Sequence, residues 1–381
     1  MKKFIAALLI AVMAFSLVAC GEKEAQTPVL ENKKTDYKVA MITDYCGIND
    51  ESFNQATYEG AKFFCDATGV SFNYYNPASD SKNDRIAMID AAVADGYNVI
   101  ITPGYSFVPA LAAVVPSYPD VKFIALDMSA KELSEAGLTK IPQNLFAASY
   151  DEEVSGYLAG FAAVSLGCER LGFLGGIAVP SVVNYGLGFV QGVNDAAAKI
   201  GRNDISLEYV YANTFDVNKQ VTDLMDVWFA SKGLDAVFAC GGSLYKAPAE
   251  KAAEYGGKVI GVDVDQSSVI NKYAENLALT SAMKGLSATV KTILKELILN
   301  DNWDAYGGLA AELSLESGTE LEANYVQLPL ETTLWNSNFT VEDYRSLVCD
   351  IYEGRIVISS DIDVLPSELA KNIILNDNGT L

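Results

Sequence analysis

Polar or glycine-rich groups end six short apolar segments of this chain, at Asp44-Tyr45, Pro103-Gly104-Tyr105, Asp127-Met128, Gly175-Gly176, Cys240-Gly241-Gly242 and Asp263-Val264-Asp265. Three of these groups begin with an aspartate. A carboxylate accepts hydrogen bonds from hydroxyl and amine groups, and glycine lets the backbone approach a ligand closely. The pattern therefore favours capture of a small polar molecule.

Residue patterns for catalysis or metal binding are missing from the sequence. The chain contains no histidine, the commonest general base and metal ligand in proteins. A GxSxG nucleophile elbow and a phosphate-binding P-loop are also absent. The segment 42–50 resembles the calcium-chelating aspartate cluster of nucleoside hydrolases, but Ile42 replaces the first aspartate and the spacing is one residue too long. We therefore predict no catalytic residue, no metal site and no cofactor.

The elements that position these groups are predicted by apolar runs alternating with amphipathic segments. Short runs buried on both faces and separated by helices are typical of a parallel sheet covered by helices. The predicted strands are Val39–Thr43, Val99–Thr102, Phe123–Leu126, Leu171–Leu174, Ala236–Ala239 and Val259–Val262. The predicted helices include Ser52–Thr68, Arg85–Ala94, Glu153–Leu166, Val183–Ile200 and Val217–Ser231. Ligands bind beyond the carboxyl ends of parallel strands, so we expect two sheets facing one cleft.

The pattern changes beyond Leu309. Ala311–Leu315 and Tyr325–Leu328 predict a hairpin. The C-terminal stretch predicts a helix over Val341–Tyr352 and an alternating strand over Arg355–Ser359. No chemistry is assigned to it.

The first residues are typical of an export signal. Two lysines precede the apolar run Phe4–Val18, which is too short for an ordinary membrane-spanning helix. The end of this region, 17–21, resembles the lipobox of bacterial lipoproteins, with cleavage before Cys20 and lipid on its sulfur. We predict a signal peptide over 1–19, then lipidated Cys20 with a flexible tether over 20–36. The predicted location is the cell membrane, on its extracytoplasmic side.

Composition limits the partners of the protein. Half of the 381 residues are hydrophobic, enough for the cores of two lobes. The net charge of −22 and the lack of any Lys/Arg-rich run disfavour a nucleic-acid partner. The five cysteines beyond Cys20 form no CxxC pair and no metal-binding spacing. Buried, reduced thiols are expected, although one isolated disulfide is compatible with the sequence.

Several motifs occur together between residues 38 and 330. They are Val39–Asp44, Ser52-Phe53-Asn54-Gln55, Glu59-Gly60, Gly175–Pro180, Gly188–Gly192, Ala239–Gly242, Gly261–Gln266 and Thr280–Gly285. In this order they resemble the basic membrane protein family and its PnrA-like purine-nucleoside-binding lipoproteins. The resemblance implies the α/β type I periplasmic-binding-protein fold, with two doubly wound lobes of parallel sheets and a hinge of several crossings.

This fold leads to a domain prediction. The N-terminal lobe comprises 37–147 plus 281–308, and the C-terminal lobe comprises 148–280 plus 309–330. Residues 331–381 form an extension packed on the lobes. Ligand would bridge the lobes and favour hinge closure.

The resemblance also implies the residues that bind the base. The family stacks the base between two aromatic rings, which correspond to Phe53 and Tyr185 here, although Tyr185 stands where the family often has Phe. Stacking contributes roughly 1–3 kcal/mol per base. Without the resemblance, Phe53 would be interpreted as a core residue of its helix.

The family's acidic contacts correspond to Asp44 beside the base, and to Asp127 and Asp263. Asp263 is the candidate for the ribose hydroxyls, because a carboxylate can accept from two vicinal hydroxyls at roughly 1.5–3 kcal/mol each. Aspartate at a strand end is also a common turn residue, and for Asp127 the two interpretations balance. Lys284 matches the family's lysine and would offset an aspartate's charge and donate to a sugar oxygen.

Asn54, Tyr105 and Gly242 complete the predicted site. Asn54 can present a donor and an acceptor to a purine edge, and Gly242 permits close approach of the backbone. Two positions depart from the family, which usually has a basic residue at Glu51 and often arginine at Asn184. Both departures remove positive charge, so we predict discrimination against nucleotides.

The sequence thus predicts an extracytoplasmic solute-binding lipoprotein of an ABC importer rather than an enzyme. It would bind a purine nucleoside (guanosine, inosine or adenosine) in the interlobe cleft, act as a monomer and deliver the ligand to the ABC permease subunits. The lipid anchor would hold it at the membrane. Two alternatives stay open: a sensor or regulatory lipoprotein of the same family, and a binding protein for another small polar ligand such as a sugar.

Overall fold

The computed structural model describes residues 35–45 and 47–381. The predicted signal peptide, Cys20 and most of the tether lie outside the described residues, as does Cys46. Within the described part, no helix has the length and apolar character needed to cross a membrane.

The first unit is built around one sheet and comprises the described residues up to Ser149 together with Leu286–Leu313. Its strands are β1 (Lys38–Ile42), β2 (Ser71–Tyr75), β3 (Val99–Pro103), β4 (Lys122–Leu126), β5 (Leu145–Tyr150) and β11 (Ala310–Leu313). Its helices are α1 (Phe53–Thr68), α2 (Lys82–Ala94), α3 (Val108–Val114), α4 (Ala130–Glu135) and α10 (Leu286–Ile298). The strand order is β11-β5-β4-β3-β1-β2, and β1 to β5 are parallel.

The second unit comprises Tyr150–Gly285 and Ser314–Leu381. Its strands are β6 (Arg170–Gly175), β7 (Ser206–Tyr211), β8 (Ala236–Cys240), β9 (Lys258–Asp263), β10 (Ala278–Lys284), β12 (Val326–Gln327) and β13 (Ile374–Thr380). Its helices are α5 (Glu152–Ser165), α6 (Pro180–Lys199), α7 (Lys219–Asp226), α8 (Lys246–Tyr255), α9 (Ser267–Ile270), α11 (Val341–Tyr352) and α12 (Pro366–Leu369). The strand order is β12-β10-β9-β8-β6-β7-β13, in which only β12 pairs antiparallel among the described strands.

The two sheets share one strand order. The series β2-β1-β3-β4-β5 in the first unit has the same order as β7-β6-β8-β9-β10 in the second. This is a doubly wound order, in which the chain proceeds to one side of the first strand and then returns to its other side. All six predicted apolar strands are present, as β1, β3, β4, β6, β8 and β9. The predicted parallel α/β architecture is confirmed.

The hairpin prediction near residue 311 was wrong, because β11 joins the first sheet and β12 joins the second. The strand predicted over 355–359 was also wrong, since that segment has no regular structure. A strand forms instead at Ile374–Thr380 and pairs with β7. The predicted helix Val341–Tyr352 is confirmed with the same bounds.

Three predicted domain boundaries differ from the observed division, the one at 147 by only two residues. Residues 281–284 belong to β10 in the second sheet, whereas the prediction placed them in the N-terminal lobe. Residues 310–313 form β11 in the first sheet, whereas the prediction placed them in the C-terminal lobe. In both places hydrogen bonding to a neighbouring strand decides which unit the segment joins.

Glycines bring α5 and α6 of the second unit into close contact. A Cβ atom at Gly156 or Gly160 in α5 would overlap backbone atoms of Tyr185 or Phe189 in α6. In return, a Cβ atom at Gly188 would overlap the backbone carbonyl of Glu153. The two backbones therefore approach each other more closely than side chains would allow, which fixes where the start of α5 lies.

We expect Gly188→Ala to destabilise the second unit by about 3 kcal/mol, because the added methyl group has no space against the α5 backbone. The measurement is the free energy of unfolding by denaturant. Ala198→Ser, at an exposed position of the same helix, is the matched control and should change it by less than about 0.5 kcal/mol. A Gly188→Ala protein as stable as wild type would contradict the close packing of α5 on α6.

Candidate functional site

Each sheet offers one topological switch point at its carboxyl edge. In this strand order, ligands bind where neighbouring connections leave the sheet in opposite directions, between the first and third strands. In the first unit, Asp44 follows β1 and Gly104 follows β3. In the second unit, Gly176 follows β6 and Gly241 follows β8. These positions carry four of the six groups that the sequence singled out.

The second unit holds a buried charged cluster at this edge. Asp263 and Lys284 end the adjacent strands β9 and β10, and the Lys284 ammonium lies 3.6 Å from the Asp263 carboxylate. It also lies 3.4 Å from the carboxylate of Glu152. The side chains of Glu152, Lys284 and Asp263 are 4%, 2% and 9% exposed. Charges buried to this degree require such pairing.

Glu152 was not identified from the sequence. It stands in the first turn of α5, where the partial positive charge of the helix N-terminus stabilises a carboxylate. The Asn184 amide donates to its second oxygen at 3.5 Å. The sequence signal, two consecutive glutamates at a helix start, is also the common signature of an ordinary helix N-terminus, so it pointed to no ligand.

Aspartates occupy equivalent strained positions in the two units. Asp127 follows β4 with φ of 58°, and Asp263 ends β9 with φ of 65°. Left-handed backbone is uncommon for residues other than glycine, and it clusters at functional sites where the surrounding structure maintains it. The equivalence sets both aspartates at the carboxyl edge of their sheets, and their predicted contacts with a ligand stay predictions.

The loops of the second unit are held together by Gln266. Its side-chain oxygen accepts from the Val262 amide at 3.0 Å, and its side-chain nitrogen donates to the Gly242 carbonyl at 3.4 Å. Its own amide donates to the hydroxyl of Ser281 at 3.1 Å. Gln266 thus links the carboxyl ends of β8 and β9 to the middle of β10. Cys240, in the same region, is buried and reduced, and its burial together with the Asp263 carboxylate raises its pKa well above the ordinary value.

Phe215 is an aromatic ring at the switch point that the sequence analysis missed. It follows β7 and lies against Gly176, and a Cβ atom at Gly241 would be 2.7 Å from its ring. The two glycines therefore make room for this half-buried ring. No local sequence signal separates Phe215 from other loop aromatics.

Tyr185, by contrast, is 1% exposed. Its ring packs edge-on against Phe238 at 6.0 Å between centroids, and the Lys284 ammonium lies 5.6 Å from its centroid. The structure therefore places Tyr185 beside the charged cluster, with its ring largely surrounded by protein. Its predicted stacking role stays a prediction.

In the first unit, Asp44 belongs to a loop organised by Asp50 and Asn54. The Asn54 side-chain oxygen accepts from the Asp44 amide at 3.0 Å. The Asp50 carboxylate accepts from the amides of Ser52, Asn54 and Gln55 and from the Asn54 side chain. Burial raises the pKa of Asp50, although these hydrogen bonds oppose the shift. Asn54 is thus a loop-linking residue in this structure, and its predicted contact with a purine stays a prediction.

Phe53 lies at the same edge of the first sheet. A Cβ atom at Gly104, where φ is 100°, would be 3.5 Å from its ring. Tyr105 follows and is 41% exposed. The structure therefore groups Asp44, Phe53 and Tyr105 around the switch point of the first unit. Among the described residues, no group of three or more histidine, cysteine, aspartate or glutamate side chains could hold a metal ion.

Comparison with known proteins identifies a family. A sequence model of the Bmp family, described as ABC transporter substrate-binding protein PnrA-like, matches residues 37–333. The ABC transporter nucleoside-binding protein BmpA of Lactococcus lactis is 26% identical over 379 residues, covering 94% of this chain and 99% of that protein. An uncharacterized lipoprotein of Pyrococcus furiosus is 24% identical over 286 residues, covering 74% of this chain and 68% of that protein.

A solved structure gives the same fold. The ABC transporter solute-binding protein from Aeropyrum pernix matches with a TM-score of 0.63 at 21% identity, covering 88% of this chain and 90% of that one. At this identity the match concerns the fold alone, and it confirms the predicted type I periplasmic-binding-protein architecture.

We expect Asp50→Asn to destabilise the protein by about 1–3 kcal/mol, because one acceptor oxygen becomes an amino group facing backbone amides. The free energy of unfolding measures the effect. Asp66→Asn, near the other end of α1, alters an exposed ion pair with Lys62 and should change it by less than about 0.5 kcal/mol. Similar values for both variants would contradict the loop-organising role of Asp50.

Proposed function

This chain belongs to the Bmp family of PnrA-like ABC transporter substrate-binding proteins, and on that premise we propose that its substrate is a purine nucleoside. Proteins of this family bind substrate without converting it, so the chain is a binding protein and not an enzyme. We propose further that it delivers the nucleoside to the permease of an ABC importer.

The observation that carries the proposal is the buried pair of Asp263 and Lys284 at the carboxyl edge of the second sheet. A carboxylate accepts from two vicinal hydroxyls, and the neighbouring ammonium donates to a sugar oxygen. Asp263 is fixed in a left-handed conformation at the end of a strand, so its direction is set before ligand arrives. This arrangement suits a ribose.

Aromatic rings at both switch points support a flat base as the second half of the ligand. Phe53 lies beside Gly104 in the first unit, and Phe215 lies beside Gly176 and Gly241 in the second. Stacking on such rings contributes roughly 1–3 kcal/mol and accepts different bases. We propose Phe53 and Phe215 as the stacking residues, with Asp44, Tyr105, Asp127 and Gly242 as further contacts. The relative named as a nucleoside-binding protein supports this choice of ligand.

The location is also a proposal. Lipid on Cys20 would anchor the protein at the extracytoplasmic face of the membrane, close to its permease. A relative that is named a lipoprotein supports an anchored protein. Incorporation of labelled palmitate by the wild-type precursor, and its loss in Cys20→Ala, would test the anchor.

A ligand panel tests the proposed function directly. We expect guanosine, inosine or adenosine to saturate the protein with a Kd of about 1 μM or lower and to raise its melting temperature. Ribose, galactose and other sugars should do neither. Calorimetric titration and thermal unfolding provide the measurements. Binding of a sugar in place of every nucleoside would refute the nucleoside assignment in favour of the sugar alternative.

Asp263→Asn is the variant for that panel. We expect the best nucleoside to lose about tenfold to 150-fold in affinity, since a charged acceptor is replaced by a neutral amide of similar size. Asp235→Asn, at the amino end of the same sheet where it pairs with exposed Arg170, should bind as tightly as wild type. An unchanged affinity of the Asp263→Asn protein would remove Asp263 from the ribose site.

Stacking is tested with substitutions that keep apolar volume. Phe53→Leu and Phe215→Leu should each weaken purine nucleoside binding by about fivefold or more, because leucine has no flat face for a base. Phe63→Leu, at a 44% exposed position of α1, should leave affinity unchanged. If Phe215→Leu binds like wild type while Tyr185→Leu does not, Tyr185 is the second stacking ring.

A further inference from the structure

Glu152 is a buried carboxylate to which the proposed nucleoside site assigns no contact with the ligand. The ribose hydroxyls need one acceptor, which Asp263 supplies, and the Lys284 ammonium opposes the charge of Asp263. Glu152 contacts Lys284 at 3.4 Å, slightly closer than Asp263 does at 3.6 Å. This second carboxylate therefore acts either through its negative charge or by positioning the Lys284 ammonium.

We propose that Glu152 makes the site selective for uncharged ligands, an inference that rests on the proposed nucleoside site. Glu152 adds one negative charge beside Asp263 and Lys284. Charges interact more strongly in a protein interior than in water, and salt screens buried charges poorly. An anionic ligand held beside this cluster thus meets repulsion that a neutral nucleoside avoids.

The position of Glu152 is fixed by elements on several sides. The Ser155 hydroxyl donates to the Met283 carbonyl at 3.0 Å and links α5 to β10, one residue before Lys284. Close glycine contacts hold α5 against α6, and Asn184 of α6 donates to the Glu152 carboxylate at 3.5 Å. Glu152 therefore stays beside Lys284 without depending on a mobile loop.

A purely structural ion pair is the competing explanation. In that case, replacement of Glu152 would change stability but would treat neutral and charged ligands alike. The decisive quantity is thus the ratio of affinities for two ligands that differ only in charge. Adenosine 5′-carboxamide and adenosine 5′-carboxylate have nearly the same shape, and only the second carries a negative charge at neutral pH.

The experiment measures the Kd of both compounds by calorimetry for wild type and variants. We expect wild type to bind the carboxylate at least about tenfold more weakly than the carboxamide, and Glu152→Gln to reduce that penalty about tenfold. Glu152→Asp keeps the charge and should keep the penalty within about threefold. Glu254→Gln removes the same charge from the far end of α8, where the side chain is 51% exposed, and should leave the penalty unchanged.

A second variant, which adds a negative charge instead of removing one, keeps the test decisive if Glu152→Gln fails to fold. Asn184→Asp adds a carboxylate next to Glu152 at a half-buried position, so it should increase the penalty. An unchanged penalty in Asn184→Asp, or an equal fall in Glu152→Gln and Glu152→Asp, would overturn the inference. If wild type binds adenosine but shows no penalty, the inference fails while the nucleoside site stands. If wild type binds no nucleoside at all, both fail.

Discussion

The ammonium of Lys284, buried between two carboxylates, is the interaction on which the candidate site depends. Removing three charges from water is costly, and only close opposite charges and hydrogen bonds offset that cost. The pairing therefore constrains every element that carries a member of the cluster. β9 has to end at Asp263, β10 has to end at Lys284 beside it, and the start of α5 has to lie next to the end of β10. The pairing of buried charges therefore constrains the geometry of the candidate site.

Strand order explains why the site forms at this edge. Both sheets place their first and third strands side by side, with the connections leaving in opposite directions. The space between such connections is where backbone and side chains can face a ligand without disturbing the sheet. Each unit uses it in its own way. The first unit supplies Asp44 and the rings of Phe53 and Tyr105, and the second supplies Gly176, Gly241 and the ring of Phe215, with the Asp263–Lys284 pair at the ends of the neighbouring strands β9 and β10.

Glycines allow close packing at two places in the second unit, because they have no side chain. The glycines of α5 and α6 let two helix backbones meet, which positions Glu152 and Asn184. Gly176 and Gly241 leave space for the ring of Phe215. In both cases an added methyl group would overlap atoms of a residue that is distant in sequence, so these glycines act through packing.

The sequence by itself determined the parallel α/β class, six of the strands and the family, because buried strands need continuous apolar runs and the motifs occur in one order. It also identified Asp263 and Lys284, which lie within those motifs. It did not find β2, β5, β7, β10 or β13. β2 lies at an exposed sheet edge and has no apolar run, and β13 is polar, with Asn376 and Asn378 donating hydrogen bonds to the buried Glu208. Glu152 and Phe215 were decided only by the tertiary structure. Their partners come from distant segments of the chain. Burial makes the charge of Glu152 different from that of an ordinary glutamate at a helix start, and burial is a property of the folded chain.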